Sequence, residues 1–195
     1  MTETTLRDAA ATLAAAFHGG ALFSRVQPDP AVRARRLPWL FEGTLRHCRR
    51  HGRVLTEGRD AAAGWVPGRR LALGPLDLAR SGLVAAPVRF GPLATVRLEQ
   101  HERPTQRRLV AASTSTTGYL WVLGVRPDRQ GTGAGGAMLR RVLDDMAARG
   151  LARCLLRTDD APNVDFYRRH GFEVVDECTD LPSRLPAWIM AASTG

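Results

Sequence analysis

The sequence predicts an α/β domain built on one mixed sheet, and three observations carry that reading. Apolar residues recur at helical spacing up to about residue 51, a hairpin of two short strands follows, and from residue 119 strands and helices alternate as β-α-β-α-β-β. With 195 residues, 44% of them apolar and 24% charged, the composition is that of a globular protein. A chain of this size buries roughly 70% of its unfolded surface without staples. Disordered and fibrous classes are excluded, and one domain over residues 1–195 is predicted.

Leu6, Ala10, Leu13 and Phe17 mark a first amphipathic helix after the possible caps Thr4 and Thr5, and a glycine-rich link follows. Asp29-Pro30 reads as N-cap and first helical residue of a second helix. Its apolar stripe is Val32, Leu37, Phe41, Leu45 and Cys48, it ends near His51, and Pro38 should bend it. Residues 53–57 and 61–66 pair as a hairpin around Gly58 and Asp60. Between residues 67 and 104 Pro and Gly cut the chain into short helical pieces, the last over 93–101, and the polar stretch 105–118 reads as a surface loop. A buried strand spans 119–125. A helix over 133–149 presents Met138, Leu139, Val142, Leu143 and Met146 inward and stops at Gly150. A strand at 151–158, a short helix opened by Asp160-Ala161-Pro162 and ended by Gly171, and strands at 172–178 and 187–192 complete the order.

All 28 basic residues are arginine, against 19 acidic ones, giving a net charge of +9. The absence of lysine excludes Schiff-base chemistry, a P-loop lysine and acetylation of the chain's own lysines. With abundant Ala, Gly and Pro it points to a bacterial genome of high GC content, so the charge argues little for a polyanionic partner. Arg33, Arg35, Arg36, Arg46, Arg49, Arg50 and Arg53 still form a basic face on or near one helix, which we expect to be solvated surface rather than a nucleic-acid site. Cys48, Cys154 and Cys178 are odd in number and far apart, matching neither a disulfide framework nor a metal spacing. A reducing cytoplasm is expected. The apolar stretch 9–17 lacks the flanks of a signal peptide, and no run approaches the ~20 apolar residues of a membrane span.

The chemistry concentrates in residues 131–136, Gly131-Thr132-Gly133-Ala134-Gly135-Gly136, between a strand and a helix N-terminus. Successive glycines let backbone N–H groups face one concavity, and the positive end of the helix favours a pyrophosphate there. A tight turn without a ligand is the plain alternative. The hexapeptide also fits the dinucleotide fingerprint G-x-G-x-x-G, with Asp159 lying 23 residues past Gly136. However, five residues, Arg126 to Gln130, separate strand from loop, where the dinucleotide fold turns at once, and only 36 residues follow Asp159.

Taken together, Gln130-Gly131-Thr132-Gly133-Ala134-Gly135, the preceding Leu123-Gly124-Val125-Arg126-Pro127, and Asn163-Val164-Asp165-Phe166-Tyr167 with Gly171-Phe172 resemble the signature blocks of the GNAT acetyltransferase superfamily. Fainter matches at Ala15-Ala16-Phe17, Pro28-Asp29 with Arg33 and Arg36, residues 62–67 and residues 119–125 resemble the branch that contains puromycin N-acetyltransferase. The resemblance implies a mostly antiparallel sheet whose central parallel strand pair is splayed by a bulge and flanked by helices, with a core at 119–178. It implies acetyl-CoA as co-substrate and no metal. It also implies coenzyme contacts at Leu123, Gly124, Val125, Arg129, Gln130, Gly131, Thr132, Gly133, Ala134, Gly135, Gly136, Asn163 and Phe166. Arg126, Arg140 and Arg141 are near enough to meet phosphates as well. The usual first strand of the family has little room before the first helix here.

Acetyl transfer to an amine needs a deprotonated amine, a polarised thioester carbonyl and a protonated thiolate. The resemblance assigns the carbonyl to backbone N–H groups near Leu123 and the thiolate's proton to Tyr167, which shares a helix face with Asn163 at i, i+4. Phe166 and Phe172 also read as core. The central strand carries no glutamate, so the base is open among Glu42, His47, His51, Glu99, His101 and water, each side chain expected as solvated surface. Asp159 and Asp160 are expected to cap the helix at Pro162, and Arg157 stands where the puromycin branch carries a carboxylate. The expected acceptor is a small-molecule amine, of aminoacyl-nucleoside or antibiotic type. A protein or peptide amine, and a non-catalytic acyl-CoA-binding regulator, are the alternatives. The chain is expected as monomer or homodimer.

Overall fold

The computed structural model describes residues 2–179 and 185–195. Helix α1 (Glu3–Phe17) is capped by Thr2, whose hydroxyl accepts the Thr5 N–H at 3.2 Å, rather than by Thr4 or Thr5. Leu6, Ala10 and Leu13 on its inner face are buried. The expected glycine-rich link contains a further helix, α2 (Ala21–Val26), because Leu22, Phe23 and Val26 are drawn into the core. There the Phe23 ring meets Phe17 and Phe41, with centroids 6.1 and 5.5 Å apart. Helix α3 (Pro30–His51) starts as predicted, with the Asp29 carboxylate accepting the Ala31 and Val32 N–H groups at 2.8 and 3.0 Å. It runs on through Pro38 and buries Leu37, Phe41, Leu45 and Cys48 at three- and four-residue steps.

Strands β1 (Arg53–Glu57) and β2 (Ala61–Pro67) form the expected hairpin. The run of small residues in β2 has a packing cause: a Cβ added at Gly64 would lie 3.0 Å from the Cys48 sulfur and 3.1 Å from Leu45, so α3 presses directly onto the strand. Short helices α4 (Pro75–Ser81) and α5 (Ala86–Arg89) lead to α6 (Pro92–Ala112). Here the sequence misleads, since much of the expected surface loop 105–118 is the second half of a 21-residue helix. The positions that α6 buries are Ala94, His101, Thr105 and Leu109. Half of them are polar, so the helical stripe has no hydrophobic signature.

The remainder is β3 (Thr117–Val125), α7 (Ala134–Ala147), β4 (Arg153–Thr158), α8 (Ala161–Arg168), β5 (Glu173–Thr179) and β6 (Pro186–Ser193). Among the described residues six strands join one sheet in the order β1-β2-β3-β4-β6-β5, antiparallel except for the central β3-β4 pair. Alternate residues divide between its faces. Ala61, Ala63, Cys154, Leu156 and Met190 pack with α7 and α8, while Ala62 packs with α1 and α3, and Leu155 and Ile189 with Cys48 and Leu109. The basic face of α3 is partly internal: Arg33 is buried and donates to the carbonyls of His18, Gln27 and Pro28, and Arg36 donates to Phe90. Among the described residues no helix is long and apolar enough to cross a membrane.

Candidate active site

Strands β3 and β4 pair from Thr117 opposite Arg153 to Leu120 opposite Leu156 and then part, although both continue. On its other edge β3 stays paired to β2 as far as Val125 opposite Ala61, with one irregularity. Gly64 faces Val122 and Trp65 faces Leu120, which leaves Trp121 as the extra residue of a bulge. A bulge bends its strand and increases the local twist, and this one lies where the parallel strands separate. Beyond it Trp121 and Val122 both pack towards α1 and α3, whereas Leu123 and Val125 pack towards α7. Residues 121–125 thus present a backbone edge to the gap with no strand partner among the described residues.

The strand then delivers the chain to the glycine loop. Gln130 is turned back so that its amide donates to the Val125 carbonyl at 3.2 Å, and the Thr132 hydroxyl donates to the Arg129 carbonyl at 2.8 Å. Gly131 and Gly133 adopt φ of +78° and +86°, and Gly133 is the N-cap of α7, its carbonyl accepting the Ala137 N–H. Among the described residues, none of the backbone N–H groups of residues 131–136 finds an intramolecular acceptor. Six donors without an intramolecular acceptor are therefore gathered at the positive end of a 14-residue helix, those of Gly131, Thr132 and Gly133 on exposed residues. Gly135 and Gly136 let this end approach α8. A Cβ on Gly135 would lie 3.4 Å from Phe166, and one on Gly136 would lie 2.5 Å from His170 Nε2.

Of the arginines expected beside the loop, three already hold carboxylates. Arg126 grips Asp128 at 2.9 and 3.0 Å, Arg129 pairs with Asp60 at 2.9 Å, and Arg141 pairs with Glu57 at 2.6 Å. These are exposed pairs that a phosphate can displace at small cost. Arg140 is exposed on α7.

Helix α8 separates the two residues expected on one face. Asn163 lies exposed in its first turn, while Tyr167 is buried among Cys154, Val164 and Phe172, with the half-buried Phe166 edge-on at 5.1 Å. Burial pushes the Tyr167 phenol above its ordinary pKa, followed by a smaller contribution from Cys154. It therefore keeps its proton at neutral pH.

The side chains weighed as bases are not free surface groups. Glu42 lies against Arg46, Glu99 pairs with Arg103 at 3.8 Å, and His47 and His101 are both buried at 2% exposure. His101 Nε2 is 3.1 Å from Asp159, which also receives Arg157 at 3.1 Å. The Arg157 guanidinium donates besides to Glu102 at 2.7 Å and to Thr105 at 3.0 Å. Burial acts to raise the Asp159 pKa, but the charge of Arg157 and the bonds from His101 and Arg157 outweigh it and hold the carboxyl below the usual range. Asp159 therefore ties β4 to α6 and does not cap α8. Asp160 occupies the N-cap position but makes no side-chain cap bond. Its pKa is raised by burial and by the charge of Asp159. A Cβ on Gly20 would come within 3.8 Å of its carboxylate, so Asp160 stands between the start of α8 and the start of α2, at the end of β4. Nothing in the sequence sets Asp160 apart from Asp159, because neighbouring acidic residues before a proline look like a helix start.

The Acetyltransferase (GNAT) family model matches residues 76–172. Among curated proteins, the mycothiol acetyltransferase of Saccharomonospora viridis is 41% identical over 61 residues, 30% of this chain and 20% of that one. The mycothiol acetyltransferase of Clavibacter michiganensis subsp. michiganensis is 43% identical over 67 residues, 33% and 21% of the two chains. The matches thus span about a fifth of these relatives' length. Among solved structures, a GNAT-family protein of Desulfovibrio desulfuricans superposes with a TM-score of 0.49 at 18% identity, over 89% of this chain and 91% of that one. The segment matched by the family model runs from α4 to the residue before β5, so the splayed strands, the glycine loop and α8 all lie inside it, and the chain belongs to the GNAT acetyltransferase family.

Proposed function

We propose that the chain transfers an acetyl group from acetyl-CoA directly to an amine of a small molecule. The observation that carries this reading is the open edge of β3 at residues 121–125, which leads within a few residues into six unsatisfied N–H donors. A pantetheine arm has the amide groups to pair with such an edge, and its pyrophosphate suits the loop at Gly131, Thr132, Gly133, Ala134, Gly135 and Gly136. Gln130, Arg129, Asn163 and Phe166 border that path, and Leu123, Gly124 and Val125 form its wall. Backbone N–H groups near Leu123 polarise the thioester carbonyl.

The amine nitrogen attacks the carbonyl carbon, the C–S bond breaks, and the departing thiolate takes the proton of Tyr167. Asp160, with the higher proton affinity of the two neighbouring carboxylates, takes the proton that the amine loses, directly or through water. No acyl-enzyme is needed. Burial pushes the Cys154 thiol up to about 12, which makes it a poor nucleophile at neutral pH. The small-molecule acceptor rests on the likeness of residues 15–17, 28–36, 62–67 and 119–125 to the puromycin acetyltransferase branch.

The test has two parts. In a thermal titration, acetyl-CoA at 100 times its dissociation constant should stabilise the protein by about 2.7 kcal/mol, and NAD should not. A panel of small amines and peptides, read out by the free thiol of coenzyme A, then assigns the acceptor. Stabilisation by NAD alone overturns the coenzyme, turnover with peptides alone overturns the acceptor, and binding without any turnover leaves a regulatory acyl-CoA binder.

A further inference from the structure

We propose that His47, His51 and Asp77 form a site for one divalent transition-metal ion of the zinc type, on the face of the sheet opposite α7. The three residues each bring one donor atom to within 4.8 Å of the other two, the closest grouping of metal-ligating side chains among the described residues. This departs from the expectation of a metal-free protein, which was drawn from the cysteine spacing and from the family resemblance.

The grouping follows from the fold. His47 and His51 are four residues apart near the end of α3, hence on one face, with ring centroids 4.7 Å apart. Asp77 reaches them from α4, where its Oδ2 accepts the Gly74 N–H at 3.3 Å and its Oδ1 lies 2.9 Å from His51 Nε2. The carboxylate is thus oriented by its own helix start before any ion arrives. His47 is held as firmly, because its Nε2 lies 3.0 Å from the Arg70 carbonyl and its ring meets Trp121 edge-on at 5.1 Å. A carbonyl can only accept, so that nitrogen carries the proton and the other keeps its lone pair. This is the service that outer groups perform for metal-bound imidazoles.

The surroundings are basic, with Arg70 acting on His47 and Arg46, Arg49, Arg50 and Arg80 lining a neighbouring hollow. A hard cation held mainly by charge, such as magnesium or calcium, is disfavoured there. An ion held by nitrogen coordination is not, and two imidazoles with one carboxylate leave a fourth position for water or another ligand. Since His47 touches the bulged Trp121, such an ion would brace α3 and α4 behind the opening of the sheet.

Cobalt(II) added to protein previously dialysed against a chelator tests the site. We expect visible d–d bands that saturate at one equivalent, loss of these bands in His51→Ala, and at least about tenfold weaker binding in Asp77→Asn. Magnesium should not compete, and zinc should bleach the bands. Circular dichroism checks the fold of each variant, and His51→Gln replaces His51→Ala if the latter does not fold. No visible band in the native protein overturns the proposal. So do bands that survive the loss of His51, or a near-ultraviolet thiolate band, which would place the ion on a cysteine.

Discussion

Arg157→Leu removes the only described cation whose guanidinium bridges Asp159 and Glu102. The side chain of Arg157 is 9% exposed and that of Asp159 12%, so the substitution strands a carboxylate in the interior. Breaking a buried pair from one side costs about 3–5 kcal/mol, because the remaining charge keeps its desolvation penalty and loses its compensation. For a chain of this size the corresponding fall in melting temperature is about 6–20 °C. The pH dependence carries a definite sign. Asp159 has a lowered pKa in the folded protein, so its contribution is present above the ordinary value of 3.8 and is lost as pH falls through the lowered one. Without Arg157, burial dominates and Asp159 takes up a proton at higher pH. The deficit of the variant should therefore be largest near neutrality and should narrow in acid. Urea denaturation at pH 7 and pH 4.5 measures this, and adding Asp159→Asn to Arg157→Leu should restore part of the loss. A variant within 1 kcal/mol of the native protein at pH 7, or a deficit that grows in acid, would refute the reasoning.

Gly133→Val places a β-branched residue at φ +86°, at a cost of about 1–3 kcal/mol, and should abolish acetyl-CoA binding in a fold that circular dichroism still recognises. Gly136→Ala sets a methyl group 2.5 Å from His170 Nε2 and should destabilise by about 1–3 kcal/mol in urea; no loss would mean that His170 swings aside freely. Tyr167→Phe should lower turnover roughly 10²- to 10⁴-fold with acetyl-CoA affinity unchanged, and full activity would remove the phenol from the chemistry. Cys154→Ser should retain turnover at some cost in stability, about 1–3 kcal/mol for a buried hydroxyl, whereas a trapped acetyl-cysteine in the native protein would replace direct transfer.

The sequence by itself determined the parts of this protein whose cause is local. The Asp29-Pro30 start of α3, the hairpin at Gly58, the glycine stop at Gly150 and the strand-loop-helix from Val125 to α7 each depend on backbone conformations that only certain residues allow, and such residues are visible in a string of letters. The family resemblance rested on the blocks at residues 123–127, 130–135, 163–167 and 171–172, and the family match covers them.

Tertiary structure decided what depends on partners distant in the chain. The second half of α6 is a helix because His101 and Thr105 find Asp159 and Arg157 more than 50 residues away, and their polarity hid the stripe. Asp159 lost its expected cap role to the same network, and Asp160 gained proton affinity from burial and then from the charge of Asp159. A splayed central pair was expected through the family resemblance, but its place, with the unmatched Trp121 where β3 parts from β4, comes from the pairing of β3 with β2, and a register offset has no sequence signature. Nor could spacing bring Asp77 to His47 and His51, since α4 lies in the stretch where Pro and Gly erase periodicity. Local conformational preference is carried by each residue alone, but a charge or a polar atom acquires its role from whatever the fold brings within about 3 Å of it.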